Sequence, residues 1–141
     1  MTTRTARCGC GRAEITVEDE PTLVMLCHCD YCQRRSGSVF AASGQWPEKN
    51  VVAVNGETKR YNGLELDGAP SPISPGGINY YFCPTCGSVL YWVWGIEGQA
   101  EPTVSIGVGS FGDPSFPMPT AEFRTELRHD WVPPVPDADQ F

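Results

Sequence analysis

A chain of 141 residues, 40% hydrophobic and 19% charged, has a globular balance and enough length to bury a core, which excludes a disordered segment. Its formal charge is −7, from 10 Lys+Arg against 17 Asp+Glu. That is the opposite of the basic footprint selected by nucleic acid or an anionic membrane surface, so neither is expected as a partner.

Residues Met1 to Arg7 hold no apolar stretch of signal-peptide type, and no run reaches bilayer length. A cytoplasmic protein is expected, in a compartment where thiols stay reduced. Arg12 to Val17 alternates as a strand, with Ala13, Ile15 and Val17 on one face. Leu23 to Cys29 is a second strand, and the polar stretch Asp30 to Gly37 makes about one helical turn. Val39 to Trp46 and Val51 to Asn55 follow as strands, and Asn55-Gly56 reads as a hairpin turn into a strand over Thr58 to Tyr61. Asn62 to Gly77, dense in Gly, Pro and Ser, is a long loop. Ile78 to Phe82 and Val89 to Trp94 flank a Cys-Pro-Thr-Cys-Gly turn. Thr103 to Val108 and Ala121 to Leu127 are weaker strands, and Pro133 to Pro136 excludes regular structure. Nothing divides the chain, so one all-β domain with short helical turns is expected over residues 1–141.

The seven cysteines fall into three groups: Cys8-x-Cys10, Cys27-x-Cys29-x-x-Cys32 and Cys83-x-x-Cys86. An odd number in a reducing compartment points to metal rather than disulfides. A C-x-x-C turn puts two sulfurs on one side of a bend, each able to reach a zinc ion about 2.3 Å away. Strand alternation puts Cys27 and Cys29 on one face and His28 on the other, and Cys32 could swing back to complete a three-sulfur cup. Two partitions are open. Cys8, Cys10, Cys83 and Cys86 could form one closed site, leaving Cys27, Cys29 and Cys32 with a vacant fourth position. Alternatively, Cys29 and Cys32 could pair with Cys83 and Cys86, stranding the other three. Spacing favours the first modestly, because no cysteine is idle. His129 reads as a surface side chain, and no hydrolytic triad is visible.

Cys8-Gly9-Cys10-Gly11, then Cys27-His28-Cys29-x-x-Cys32-Gln33-Arg34-Arg35-Ser36-Gly37-Ser38, then Phe82-Cys83-x-x-Cys86-Gly87-Ser88 resemble the glutathione-dependent formaldehyde-activating enzyme family, which also includes the domain of centromere protein V. The motif order matches from about Cys8 to Trp131. The resemblance implies a β-tent fold of short antiparallel sheets with two zinc ions per chain. It implies a structural site of Cys8, Cys10, Cys83 and Cys86 and a catalytic one of Cys27, Cys29 and Cys32. The activity it implies is condensation of glutathione with formaldehyde to S-hydroxymethylglutathione, a carbon–sulfur lyase reaction. Two departures touch the substrate pocket: Tyr80 stands where relatives often carry a basic residue, and Glu122 and Arg124 where they often carry a histidine and an aromatic.

An open thiolate-rich zinc site suits addition of a small thiol to an aldehyde, because it can hold a thiol as thiolate or polarise a carbonyl. Arg34 and Arg35 directly follow the cup and could clamp a substrate carboxylate. The competing class is a non-catalytic, zinc-stabilised binding or scaffold domain. A protein ligand closing the second site would favour it.

Overall fold

A computed structural model describes residues 2–63, 77–96 and 98–141. The chain is mostly β-sheet, as expected, with one α-helix among the described residues. In chain order the elements are β1 (Thr3–Arg7), β2 (Glu14–Glu18), β3 (Leu23–Cys27), α1 (Asp30–Ser36), β4 (Ala41–Pro47), β5 (Val51–Asn55), β6 (Lys59–Asn62), β7 (Asn79–Phe82), β8 (Val89–Trp94), β9 (Thr103–Gly107), β10 (Ala121–Phe123) and β11 (Asp139–Gln140). Single 3-10 turns occupy Glu48–Asn50, Val108–Phe111 and Thr125–Leu127. Among the described residues, no helix is long and apolar enough to cross a membrane.

The strands form two sheets. The smaller is ordered β1-β2-β5 and the larger β11-β10-β3-β4-β9-β8-β7-β6. All pairings are antiparallel except those of β10, which runs parallel to both β3 and β11. The period-2 pattern explains how the sheets meet. Ala6 pairs with Ile15 in the small sheet, so both side chains point the same way, into the core with Val17. From the large sheet, Val24, Trp46, Val104 and Ile106 come to meet them. Trp46 packs edge-on against Phe116, itself stacked on Phe111 at 4.9 Å. Each such side chain taken fully from water contributes about 1.5–3 kcal/mol, which is what holds the two sheets together.

Three expectations need correction. The Asn55-Gly56 turn exists, with Gly56 at φ +84°, but it does not close a hairpin. β5 pairs with β2 (Glu14 opposite Asn55) and β6 pairs with β7, so the turn hands the chain from one sheet to the other. A turn dictates only the local bend, whereas the apolar faces choose the partners. The strand expected over Ala121 to Leu127 stops at Phe123, because Arg124 adopts the left-handed region (φ +56°) and Thr125–Leu127 coils. The helical stretch is α1, longer than one turn and closed by Gly37 at φ +72°. Most of the loop expected between Asn62 and Gly77 lies outside the described residues. Strands β1 and β11 carry too little alternation to be read from sequence.

Candidate metal centres

Cys8 and Cys10 sit in the tight turn after β1, where the Cys8 N–H donates to the Ala13 carbonyl at 3.0 Å. Cys83 and Cys86 sit in the turn joining β7 to β8, where the Gly87 N–H donates to the Cys83 carbonyl at 2.8 Å. The fold brings the two turns together, and all four sulfurs lie within 4.8 Å of one another. This is the first of the two partitions open in the sequence. Cys8 and Cys83 are buried, while Cys10 and Cys86 face solvent. A tetrahedral zinc site with Zn–S bonds of about 2.3 Å sets its sulfurs about 3.8 Å apart. Here Cys8 and Cys10 are 3.7 Å apart and Cys10 and Cys83 are 3.8 Å apart, so the donor set fits the ion. Local donors support the sulfurs. The Ala13 N–H donates to Cys8 Sγ at 3.3 Å, and the Ser88 hydroxyl and N–H hold the Cys86 thiol down at about 5. Ser88 also accepts the Gly9 N–H at 3.2 Å, tying one turn to the other.

The second cluster comes from one short stretch. Cys27 ends β3, Cys29 is the N-cap of α1, and Cys32 lies on the first turn of that helix. Their sulfurs also lie within 4.8 Å of one another, and all three residues are half-buried. The Cys32 N–H donates to Cys29 Sγ at 3.2 Å, so the helix start itself steadies a thiolate there. Hydrogen bonds from Cys27 and Cys32 hold Cys29 down at about 2, and the same contacts push Cys27 and Cys32 up. Three sulfurs this close oppose one another's ionisation. A divalent ion accommodated by soft sulfur donors would remove that conflict, which is the donor chemistry of zinc.

His28, between two cysteines, points away from the cup as alternation requires, and it is fully buried. Its Nε2 lies 2.8 Å from Glu122 Oε1 across 94 residues of sequence. Glu122 is fully buried as well. Burial pushes its carboxyl up, but donors from Gln140, His28 and the Val135 N–H, with the Arg128 guanidinium, hold it at about 2. Because an ionised carboxylate only accepts, Nε2 of His28 carries the proton. Gln33 braces the same wall: its Nε2 donates to the His28 carbonyl at 2.8 Å, and His129 Nε2 lies 2.8 Å from its Oε1. The stretch from β10 to β11 is thus packed behind the cup. Sequence reasoning noted Glu122 and Arg124 only as departures from a pattern. The one visible signal for Glu122 was an acid inside the otherwise apolar strand Ala121–Phe123.

The two arginines after the cup have separate surroundings. Arg34 is mostly exposed and pairs with Asp30 at 3.3 Å, one turn back on the helix. Arg35 is half-buried, its guanidinium over the rings of Trp92 and Tyr80. The Ser36 hydroxyl donates to the Cys32 carbonyl at 2.7 Å and accepts the Ser38 N–H, closing the end of the helix.

Among curated proteins none matches the chain. A family model does, over residues 3–127, a span that contains both cysteine clusters, α1 and β10. On that match the chain belongs to the glutathione-dependent formaldehyde-activating enzyme family.

Proposed function

We propose that the chain is a zinc-dependent enzyme of carbon–sulfur lyase type that joins and parts a small thiol and an aldehyde, working as a single domain with two zinc ions. The family's name supports glutathione and formaldehyde as the pair, with S-hydroxymethylglutathione as the adduct. One observation carries the reading. The cluster of Cys27, Cys29 and Cys32 has three sulfurs, and among the described residues no fourth His, Cys, Asp or Glu atom joins them. A four-sulfur set closes around its ion, whereas a three-sulfur set leaves a position for water or substrate.

With zinc held there, the site would supply a Lewis acid and a seat for a thiol in its thiolate form. Three protein thiolates would already donate to an ion held there, which would lower its acidity and favour thiol binding over water activation. In the addition, the thiol sulfur bonds to the carbonyl carbon and the carbon–oxygen π bond breaks. The proton given up by the thiol ends on that oxygen, so nothing is oxidised or reduced. Arg34 and Arg35, both expected from the sequence to clamp a substrate carboxylate, lie on the helix that leaves the cup. Arg35 is the substrate-binding residue of this reading, since Arg34 is exposed and paired with Asp30. A reducing compartment such as the cytoplasm keeps the seven thiols available.

Metal analysis of the wild type beside Cys29→Ser, with thiol–formaldehyde adduct formation followed by NMR, tests the proposal. Two zinc ions per wild-type chain, one per variant chain and an adduct rate reduced to the uncatalysed level are expected. Loss of one ion with an unchanged rate would reject catalysis and leave the scaffold reading.

A further inference from the structure

Three arginines of this chain are half-buried: Arg4, Arg35 and Arg128. Arg4 pairs with Glu20 at 3.1 Å and Asp113 at 3.6 Å, and Arg128 pairs with Glu122 at 3.3 Å. Arg35 alone of the three has no acid partner among the described residues, while the buried Nε of each lacks a hydrogen-bond partner there. In a chain with 17 acidic residues and 10 basic ones, a half-buried cation with no acid beside it among the described residues is a costly exception.

Aromatic rings hold it in place. The guanidinium carbon lies 4.6 Å from the centre of the Trp92 ring and 5.1 Å from that of Tyr80. Trp92 and Tyr80 face each other across β7 and β8, and Tyr61 stacks on Tyr80 at 5.0 Å, so the support is itself anchored in a sheet. Stacking occupies a face of the guanidinium plane and leaves its N–H edge to an in-plane acceptor, the geometry of a bidentate carboxylate. Arg35 follows Cys32 by three residues on α1, where side chains share a helix face about 5–6 Å apart at Cβ. Tyr80 also packs against Tyr31, the residue before Cys32 on α1, with ring centres 6.4 Å apart. Arg34 differs in each respect, being exposed and paired with Asp30.

We infer that Arg35 selects thiols bearing a carboxylate for the three-cysteine cup, and that Tyr80 and Trp92 are positioning residues fixing the plane of its guanidinium. The inference rests on the thiol-site reading above and assigns the carboxylate contact of its thiol to one residue. It also divides the arginine pair: Arg35 recognises substrate, while Arg34 belongs to the helix surface.

The test uses cobalt-substituted protein, titrated with 3-mercaptopropionate and with its neutral amide, 3-mercaptopropionamide. The thiolate charge-transfer band reports binding without turnover. A charge-assisted pair worth about 1.5–3 kcal/mol makes the wild type prefer the acid by about 10-fold or more. Arg35→Gln should abolish that preference while leaving the amide's affinity unchanged. Trp92→Leu should weaken the preference and Trp92→Phe, which keeps a ring, should restore most of it; Arg34→Gln should leave it intact. Equal binding of acid and amide by the wild type overturns the inference alone, and this ratio needs no variant to fold. A preference surviving in Arg35→Gln, or lost in Arg34→Gln, also overturns it. A band that responds to neither thiol removes the thiol-site reading and the inference together.

Discussion

The two cysteine clusters reach their geometry by opposite routes. The four-sulfur set joins turns far apart in sequence, Cys10 and Cys83 being 73 residues apart, and it fastens the end of β1 in the small sheet to the β7–β8 turn of the large one. Of its supporting hydrogen bonds, the one from Ala13 to Cys8 stays within the first turn and the one from Gly9 to Ser88 joins the two. The three-sulfur set is local in sequence, and its long-range element is the protein behind it, His28 held by Glu122. In the first cluster ligation itself would supply the distant constraint. In the second the fold supplies it.

The largest expected effect follows from that contrast. Chelation, or Cys83→Ser, should remove the tie between sheets and with it most cooperative unfolding, since a structural zinc contributes on the order of 10 kcal/mol. Cys29→Ser should shift the midpoint of a urea titration followed by circular dichroism far less. Similar losses from both variants would erase the distinction. Next comes Glu122→Leu, which strands Arg128 and the donors of His28, Gln140 and Val135. It should cost about 3–5 kcal/mol in unfolding free energy. It should also weaken metal affinity at the three-sulfur cluster by about 10–100-fold, with the four-sulfur cluster unchanged.

Acid offers a subtler probe of the same wall. The Glu122 carboxyl is held at about 2, below its ordinary value of 4.5. Its contribution is therefore complete above pH 4.5 and is lost as pH falls through about 2. Glu122→Gln should flatten the wild type's stability profile across that window, as read by denaturant titrations at several pH values. Gly56→Ala puts a side chain at φ +84°, where its Cβ would collide with the Arg12 carbonyl. A loss of about 1–3 kcal/mol is expected, with faster amide exchange in β2 and β5 of the small sheet. The smallest change belongs to Arg34→Ala. Its exposed pair with Asp30 should be worth about 0.5 kcal/mol or less by thermal melting.

Legibility in the sequence followed sequence distance. Ligand spacing is a local property, so C-x-C and C-x-x-C announced both clusters, and alternation alone turned His28 away from its cysteine neighbours. Choosing among partitions was harder, since nothing in Cys8-x-Cys10 says which distant turn it will meet. The Glu122–His28 contact spans 94 residues and carries no spacing rule, so an acid in a short strand gave little warning of it. The Asn55-Gly56 turn misled for a related reason. Its dipeptide fixes a bend, but Val51 of β5, opposite Val17 in β2, packs against the core and holds β5 in the small sheet. The two adjacent arginines look equivalent in sequence and part company only where the rings of Trp92 and Tyr80 receive one of them.

The staple between turns also has a consequence for the order of events during synthesis. Cys8 and Cys10 leave the ribosome early, yet their ligand partners follow only after Cys83 and Cys86 have been made. Chains are made at about 5–20 residues per second, so this pair of thiols waits several seconds without its partners. Meanwhile Cys27, Cys29 and Cys32 emerge together and can capture an ion at once. The Cys8–Cys10 pair therefore passes through a stage of exposure to oxidants and to competing metals that the three-cysteine cluster escapes.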